Sequence, residues 1–149
     1  MPAYLFDTNL WLAAVFTSHP FHTVAQQALQ QAKPDQPAVW CRATQQSFLR
    51  LLSTPAISKF YGADGLSNRD AWVALEALQA LPQVGFRDES NGLYAIWRQS
   101  AALDSASPKV WMDAYLAAFA ITGGLRLVTL DRDFRNFVVQ GLDLELLSG

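Results

Sequence analysis

Five short, mostly apolar runs, separated by stretches of helical character, limit this chain to very few architectures. They are "AYLF" (3–6), "AVWC" (38–41), "VGFRD" (84–88), "LRLVTLD" (125–131) and "LDLELL" (142–147). Short runs that are apolar rather than alternating read as strands buried on both faces. Such strands alternating with helices give a three-layer α/β/α sandwich around a central parallel sheet. At 149 residues the chain reads as one domain, 1–149, with a single continuous core.

The intervening stretches carry their own start and stop signals. "LWLAAV" begins a helix after the first strand, and residues 23–32, rich in Ala and Gln, form a second. "TQQSFLRLLSTP" reads as a helix capped by Thr44 and ended by Pro55, with Phe48, Leu51 and Leu52 at helical spacing. Ser67 caps a helix reaching about Leu81, and residues 91–100 form another. Ser107 as N-cap with Pro108 at the first helical position opens a helix that stops at Gly123-Gly124. "RDFRNF" is a short helix before the last strand.

That late helix holds "VWMDAYLAAFAI" (110–121), an apolar run interrupted by Asp113. Desolvating a lone carboxylate is costly, so folding alone gives little reason for it. In open parallel sheets, ligands collect beyond the carboxyl ends of the strands. Asp7 stands just past the first strand and Asp131 just past the fourth; Asp113 falls in the second turn of the helix feeding the fourth. Crossover helices run antiparallel to their strands, which brings all three carboxylates to one rim. Converging carboxylates need a cation between them or must share protons. An oxygen-only set suits Mg²⁺ or Mn²⁺ and phosphodiester chemistry better than a zinc protease. Each acid also has a plainer role to set beside this one. Asp7 and Asp131 are positioned as helix N-caps, Asp133 as a first-turn acid, and Asp113 as a partner for Arg98 or Arg126.

With these residues in view, the chain resembles a PIN domain, and within that superfamily the toxins of the VapC type. The resemblance is carried by "LFDTNLWLAAV", by "TQQSFLRLLSTP" and by "DAYLAAFAITGGLRLVTLDRDF", and it spans nearly the whole chain. It implies a magnesium- or manganese-dependent endoribonuclease that cuts RNA, a cognate antitoxin that blocks the acidic site, and a homodimer. By the same resemblance Asp7, Asp113 and Asp131 hold the metal and do the catalysis, with Asp133 as an outer participant. Asn9 and Thr129 would fix the orientation of neighbouring carboxylates.

One position departs from the family pattern: Gln45 stands where a Glu is usual. An amide contributes no charge and is no general base. The alternative is therefore a catalytically weakened PIN fold acting as an RNA- or antitoxin-binding module. A phosphatase of the haloacid dehalogenase kind also opens with Asp after its first strand, but it needs a second Asp where Asn9 stands.

A net charge of −2 excludes a protein that holds nucleic acid by bulk electrostatics, though not one with a small basic rim. Arg42, Arg50 and Arg132 are the candidates to meet RNA phosphates there. Cys41, the only cysteine, reads as core and rules out a disulfide framework; a reducing cytoplasm is the expected location. His19 and His22 flank Pro20 with no third ligand in view and read as loop residues. No apolar stretch is long enough to span a membrane. Trp11, Phe16, Phe48 and the helix bearing Trp72 read as core, with a dimer or antitoxin surface as the alternative.

Overall fold

In the computed structural model, which describes residues 1–148, Leu5, Val39 and Leu127 sit side by side on three adjacent strands with no exposed surface. Their chain neighbours Phe6, Trp40 and Val128 point to the opposite face, as the two-residue period of a strand requires. Two cores result, one on each side of a single sheet. Its strands are β1 (Tyr4–Phe6), β2 (Ala38–Trp40), β3 (Val84–Phe86), β4 (Arg126–Thr129) and β5 (Asp143–Leu146). All pair in parallel in the order β3-β2-β1-β4-β5, so every strand ends on the same rim.

One face is covered by α1 (Thr8–Val15), α2 (His22–Gln31), α3 (Arg42–Leu52) and α5 (Asn68–Gln79), with the short α4 (Pro55–Phe60) beside them. At its centre Trp11 stacks on Trp40, ring centroids 4.0 Å apart and ring planes nearly parallel, with Phe6 and Phe48 packed around the pair. Neither indole N–H has a hydrogen-bond partner among the described residues, so stacking and burial hold the pair against two unpaired donors. The other face carries α6 (Leu93–Ala101), α7 (Val110–Gly123) and a 3₁₀ helix (Arg132–Gln140) that contributes Phe134 and Phe137. The expected three-layer α/β/α sandwich with a central parallel sheet is the fold observed.

Three boundaries differ from the sequence reading. Thr44 is not the cap of α3: the helix starts at Arg42, and Thr44 reaches back to accept the Cys41 N–H at 3.0 Å. Ser107 and Pro108 do not start α7, because the Ser107 carbonyl takes the Val110 N–H and Pro108-Lys109 form a turn ahead of the helix. Asp113 consequently lies in the first turn of α7, where the N-terminal dipole favours negative charge, and not in the second. Pro55 follows the end of α3 as expected but also opens α4, a helix the sequence reading lacked. At the far end of α7, Gly124 takes a φ of 64°, a left-handed turn that returns the chain into β4.

Among the aromatics, Trp11, Phe16 and Phe48 are buried in the core, whereas Trp72 is 53% exposed. His22 Nδ1 lies 2.8 Å from the Ala13 carbonyl and His19 Nδ1 accepts the Phe21 N–H, so both histidines serve the α1–α2 connection.

Candidate functional site

β1 and β4 are neighbours, and the two residues that follow them form the centre of the rim. Asp7 is buried at the start of α1, with Oδ1 accepting the Thr8 N–H at 2.7 Å and Oδ2 accepting the Thr129 hydroxyl at 2.8 Å. Thr129, the last residue of β4, is completely buried and also accepts the Asp131 N–H at 3.0 Å through the same oxygen. One hydroxyl therefore ties together the chain segments that carry Asp7 and Asp131. Asp131 in turn accepts the Asp133 N–H at 2.9 Å and caps the 3₁₀ helix. Capping and convergence coexist at both positions, and neither role excludes the other.

Asp113 enters from the opposite layer, where α7 begins at the same rim. Its carboxyl is pushed up to about 6, first by burial, then by the charges of Asp131, Asp7 and Asp133; only Lys109 opposes them. Asp7 is raised as well, mainly by burial and also by Asp131, although its bonds from Thr129 and Thr8 pull the other way. The arginine partners considered for Asp113 are not engaged with it. Arg126 pairs with Asp143 and Glu145, and no ion pair involves Asp113 among the described residues. The rim thus gathers negative charge from both layers, with no ion pair to Asp113 among the described residues.

No three His, Cys, Asp or Glu side chains among the described residues stand close enough to form a ready metal cage. The donor set nevertheless fits a hard divalent cation: its donors are carboxylate oxygens, burial and then mutual repulsion raise Asp113, and no ion pair engages Asp113 among the described residues. Mg²⁺ retains most of its waters and binds through one or two carboxylates, so it does not require a closed protein cage.

The remaining candidates divide by position. Asn9 is exposed and its side chain makes no hydrogen bond among the described residues. Gln45 is buried, but both ends of its amide are engaged away from the carboxylates. Its Oε1 accepts from Arg42 Nη1 at 2.7 Å, and its Nε2 donates to Gln79 Oε1 at 2.6 Å. Arg42, first in α3, and Arg132, directly after Asp131, both sit on the rim. Arg50 lies eight residues down α3, about 12 Å along its axis, beside Asn68 and Trp72. It does not share the rim. Cys41 is buried, and burial raises its thiol, in keeping with a core role.

The sequence reading missed a neighbouring feature. A cavity of about 380 Å³ opens where β3 ends, lined by Arg42, Phe86, Arg87, Asp88, Glu89 and Tyr115 among others. The strand-end rule that singles out Asp7 and Asp131 points equally to residues 86–89.

The PIN domain family model matches residues 4–139. Ribonuclease VapC41 of Mycobacterium tuberculosis is 43% identical over 145 residues, covering 97% of this chain and 98% of that protein. Among solved structures, Mycobacterium tuberculosis VapC20, a Sarcin-Ricin loop cleaving toxin, aligns with a TM-score of 0.63 at 17% identity, covering 94% of this chain and 96% of that one. VapBC2 from Rickettsia felis, bound to a DNA fragment from their promoter, gives 0.65 at 16%, covering 98% and 99%. A toxin–antitoxin complex from Klebsiella pneumoniae gives 0.56 at 20%, covering 96% of each. At these identities the solved structures speak to the fold alone.

Proposed function

Since the chain belongs to the PIN domain family, we propose that it is a divalent-metal-dependent endoribonuclease, the toxin of a toxin–antitoxin pair. The observation that carries this reading is Asp113, a half-buried carboxylate under the charges of Asp131, Asp7 and Asp133, opposed only by Lys109 and in no ion pair among the described residues. The 43% identity to a protein named a ribonuclease, across nearly all of both chains, supports RNA as the substrate. A fold relative solved as a toxin–antitoxin complex supports a cognate antitoxin as partner.

In this reading Asp7, Asp113 and Asp131 hold Mg²⁺ or Mn²⁺. When bound, the cation lowers the pKa of a water and stabilises charge on a phosphoryl oxygen. The chain's own residues supply the orientation. Thr129 and the Thr8 N–H fix both oxygens of Asp7, and the Asp133 N–H fixes one oxygen of Asp131. Asp113, entering from the opposite layer, joins Asp7 and Asp131 in orienting a water for in-line attack on a phosphodiester. Asp133 is exposed beside them and adds negative charge from outside; Thr129 acts on orientation, whereas the exposed Asn9 side chain bonds no carboxylate among the described residues. Arg42 and Arg132 are the rim cations for RNA phosphates.

Exposed Tyr94, Trp111 and Met112 on α6 and α7 offer an apolar surface for a second copy, which supports a homodimer. No helix among the described residues is long and apolar enough to cross a membrane. In this reading the chain acts on RNA in the cytoplasm. The second reading, a weakened PIN fold that binds without cutting, drew on Gln45. That amide is committed to Arg42 and Gln79, so the catalytic case rests on the three aspartates. Total RNA incubated with the purified chain and Mg²⁺ or Mn²⁺ tests the proposal. Cleavage that stops on chelation supports it, and intact RNA with every cation contradicts it.

A further inference from the structure

Gln45 has an unusual set of neighbours for a position expected to face a metal. Its amide lies between α3 and the end of α5, taking a hydrogen bond from Arg42 and giving one to Gln79. The Arg42 guanidinium is thereby held over the ring of Phe86, 4.9 Å from its centroid. Phe86 is the last residue of β3 and stays 38% exposed. A chain of contacts thus fixes a cation–aromatic pair at the mouth of the cavity.

The cavity has the chemistry of a nucleobase site. Phe86 and Tyr115 give it apolar walls, Arg42 and Arg87 give donors, and Asp88 and Glu89 give acceptors. The Tyr115 hydroxyl donates to Glu89 at 2.6 Å and sets that carboxylate in place. Neither Arg42 nor Arg87 takes part in an ion pair among the described residues. Unpaired bases of single-stranded RNA are commonly held by stacking on aromatic rings and guanidinium planes. The order β3-β2-β1 puts Phe86 two strand spacings, about 10 Å, from the rim position of Asp7. One RNA strand can lie across both.

We propose that this cavity is a nucleotide subsite, in which a base flanking the scissile bond stacks on the Arg42–Phe86 pair and Gln45 is the positioning residue that holds Arg42. The inference rests on the ribonuclease reading. It also accounts for the missing charge at position 45. A neutral amide fixes the guanidinium without cancelling its charge, whereas a glutamate there pairs with Arg42 and removes it from the RNA.

Binding of a labelled, unstructured RNA oligonucleotide, measured by anisotropy in chelator across a salt series, tests this without cleavage. Arg42→Ala and Phe86→Ala each weaken binding by between about five- and a hundredfold. Arg42→Ala also lowers the slope of log K against log salt by about 0.7. Gln45→Glu lowers affinity and slope together, whereas Gln45→Ala lowers affinity and leaves the slope unchanged. Thermal melts of each variant separate misfolding from lost contact, and Phe86→Tyr, which keeps the ring, retains affinity. Wild-type affinity in both Arg42→Ala and Phe86→Ala overturns the subsite and leaves the ribonuclease reading standing. So does a loss confined to antitoxin binding with RNA affinity intact. If the wild-type chain neither binds nor cleaves RNA, the ribonuclease reading fails and this inference fails with it.

Discussion

Thr129 Oγ1 donates to Asp7 Oδ2 across 2.8 Å, joining two buried side chains 122 positions apart in the chain. The same hydroxyl accepts the Asp131 N–H, so one atom sets the relation between two carboxylate-bearing segments. Replacing Thr129 with Val keeps the volume but leaves a buried carboxylate oxygen and a backbone N–H unpaired. Urea unfolding is expected to show a loss of about 1–3 kcal/mol, with Thr129→Ser close to wild type. RNA cleavage falls in Thr129→Val and not in Thr129→Ser.

The raised pKa of Asp113 has a stability consequence. Its value of about 6 in the folded chain lies above the ordinary carboxylate value, so the folded state binds the extra proton between about pH 4 and 6. Stability from this group is complete below pH 4 and is lost as pH rises through 6. Asp7 is shifted in the same direction. Asp113→Asn removes the half-buried charge and its repulsion, so at low salt and neutral pH the variant is more stable than wild type. Because the carboxyl is half-exposed, solvent screening leaves a gain of about 1 kcal/mol. The difference vanishes below pH 4, which denaturation at several pH values reads directly.

A cation that joins these carboxylates relieves the same repulsion. Mg²⁺ or Mn²⁺ at a hundred times its dissociation constant is expected to stabilise the chain by about 2–3 kcal/mol, seen as a rise in melting temperature. Asp113→Asn and Asp7→Asn weaken that response. An equal rise in all three proteins argues for cation binding elsewhere.

At position 45 the structure makes a different prediction from the family pattern. A carboxylate there meets Arg42 and Gln79, as the amide does now, and not the rim aspartates. Gln45→Glu therefore leaves the Mg²⁺-induced shift in melting temperature within about half a kcal/mol of wild type. A markedly tighter cation response places residue 45 among the ligands and contradicts the present geometry.

The parallel sheet was legible because "YLF", "AVW" and "RLVT" bury both faces and leave no alternation to misread. Asp7 and Asp131 were legible because strand ends are where open α/β sheets collect ligands. The start of α7 was not. Ser107 and Pro108 carry every signal of a helix start, yet a local turn through Lys109 takes the first hydrogen bond and moves Asp113 into the first turn. Neither was the direction of Gln45, since its partners Arg42 and Gln79 come from two different helices that only tertiary packing brings together. Arg50 failed as a rim residue because helical rise carries it away from the end where Arg42 sits.

The central claim is that Asp113, Asp7 and Asp131 together make the chemistry of one site. It is tested most directly by the single-turnover rate of RNA cleavage with saturating Mg²⁺ or Mn²⁺, measured for wild type and Asp113→Asn. The account predicts cleavage by the wild-type chain that chelation abolishes, and a fall of at least about a hundredfold in the variant, which remains folded. Cleavage by Asp113→Asn at the wild-type rate contradicts it.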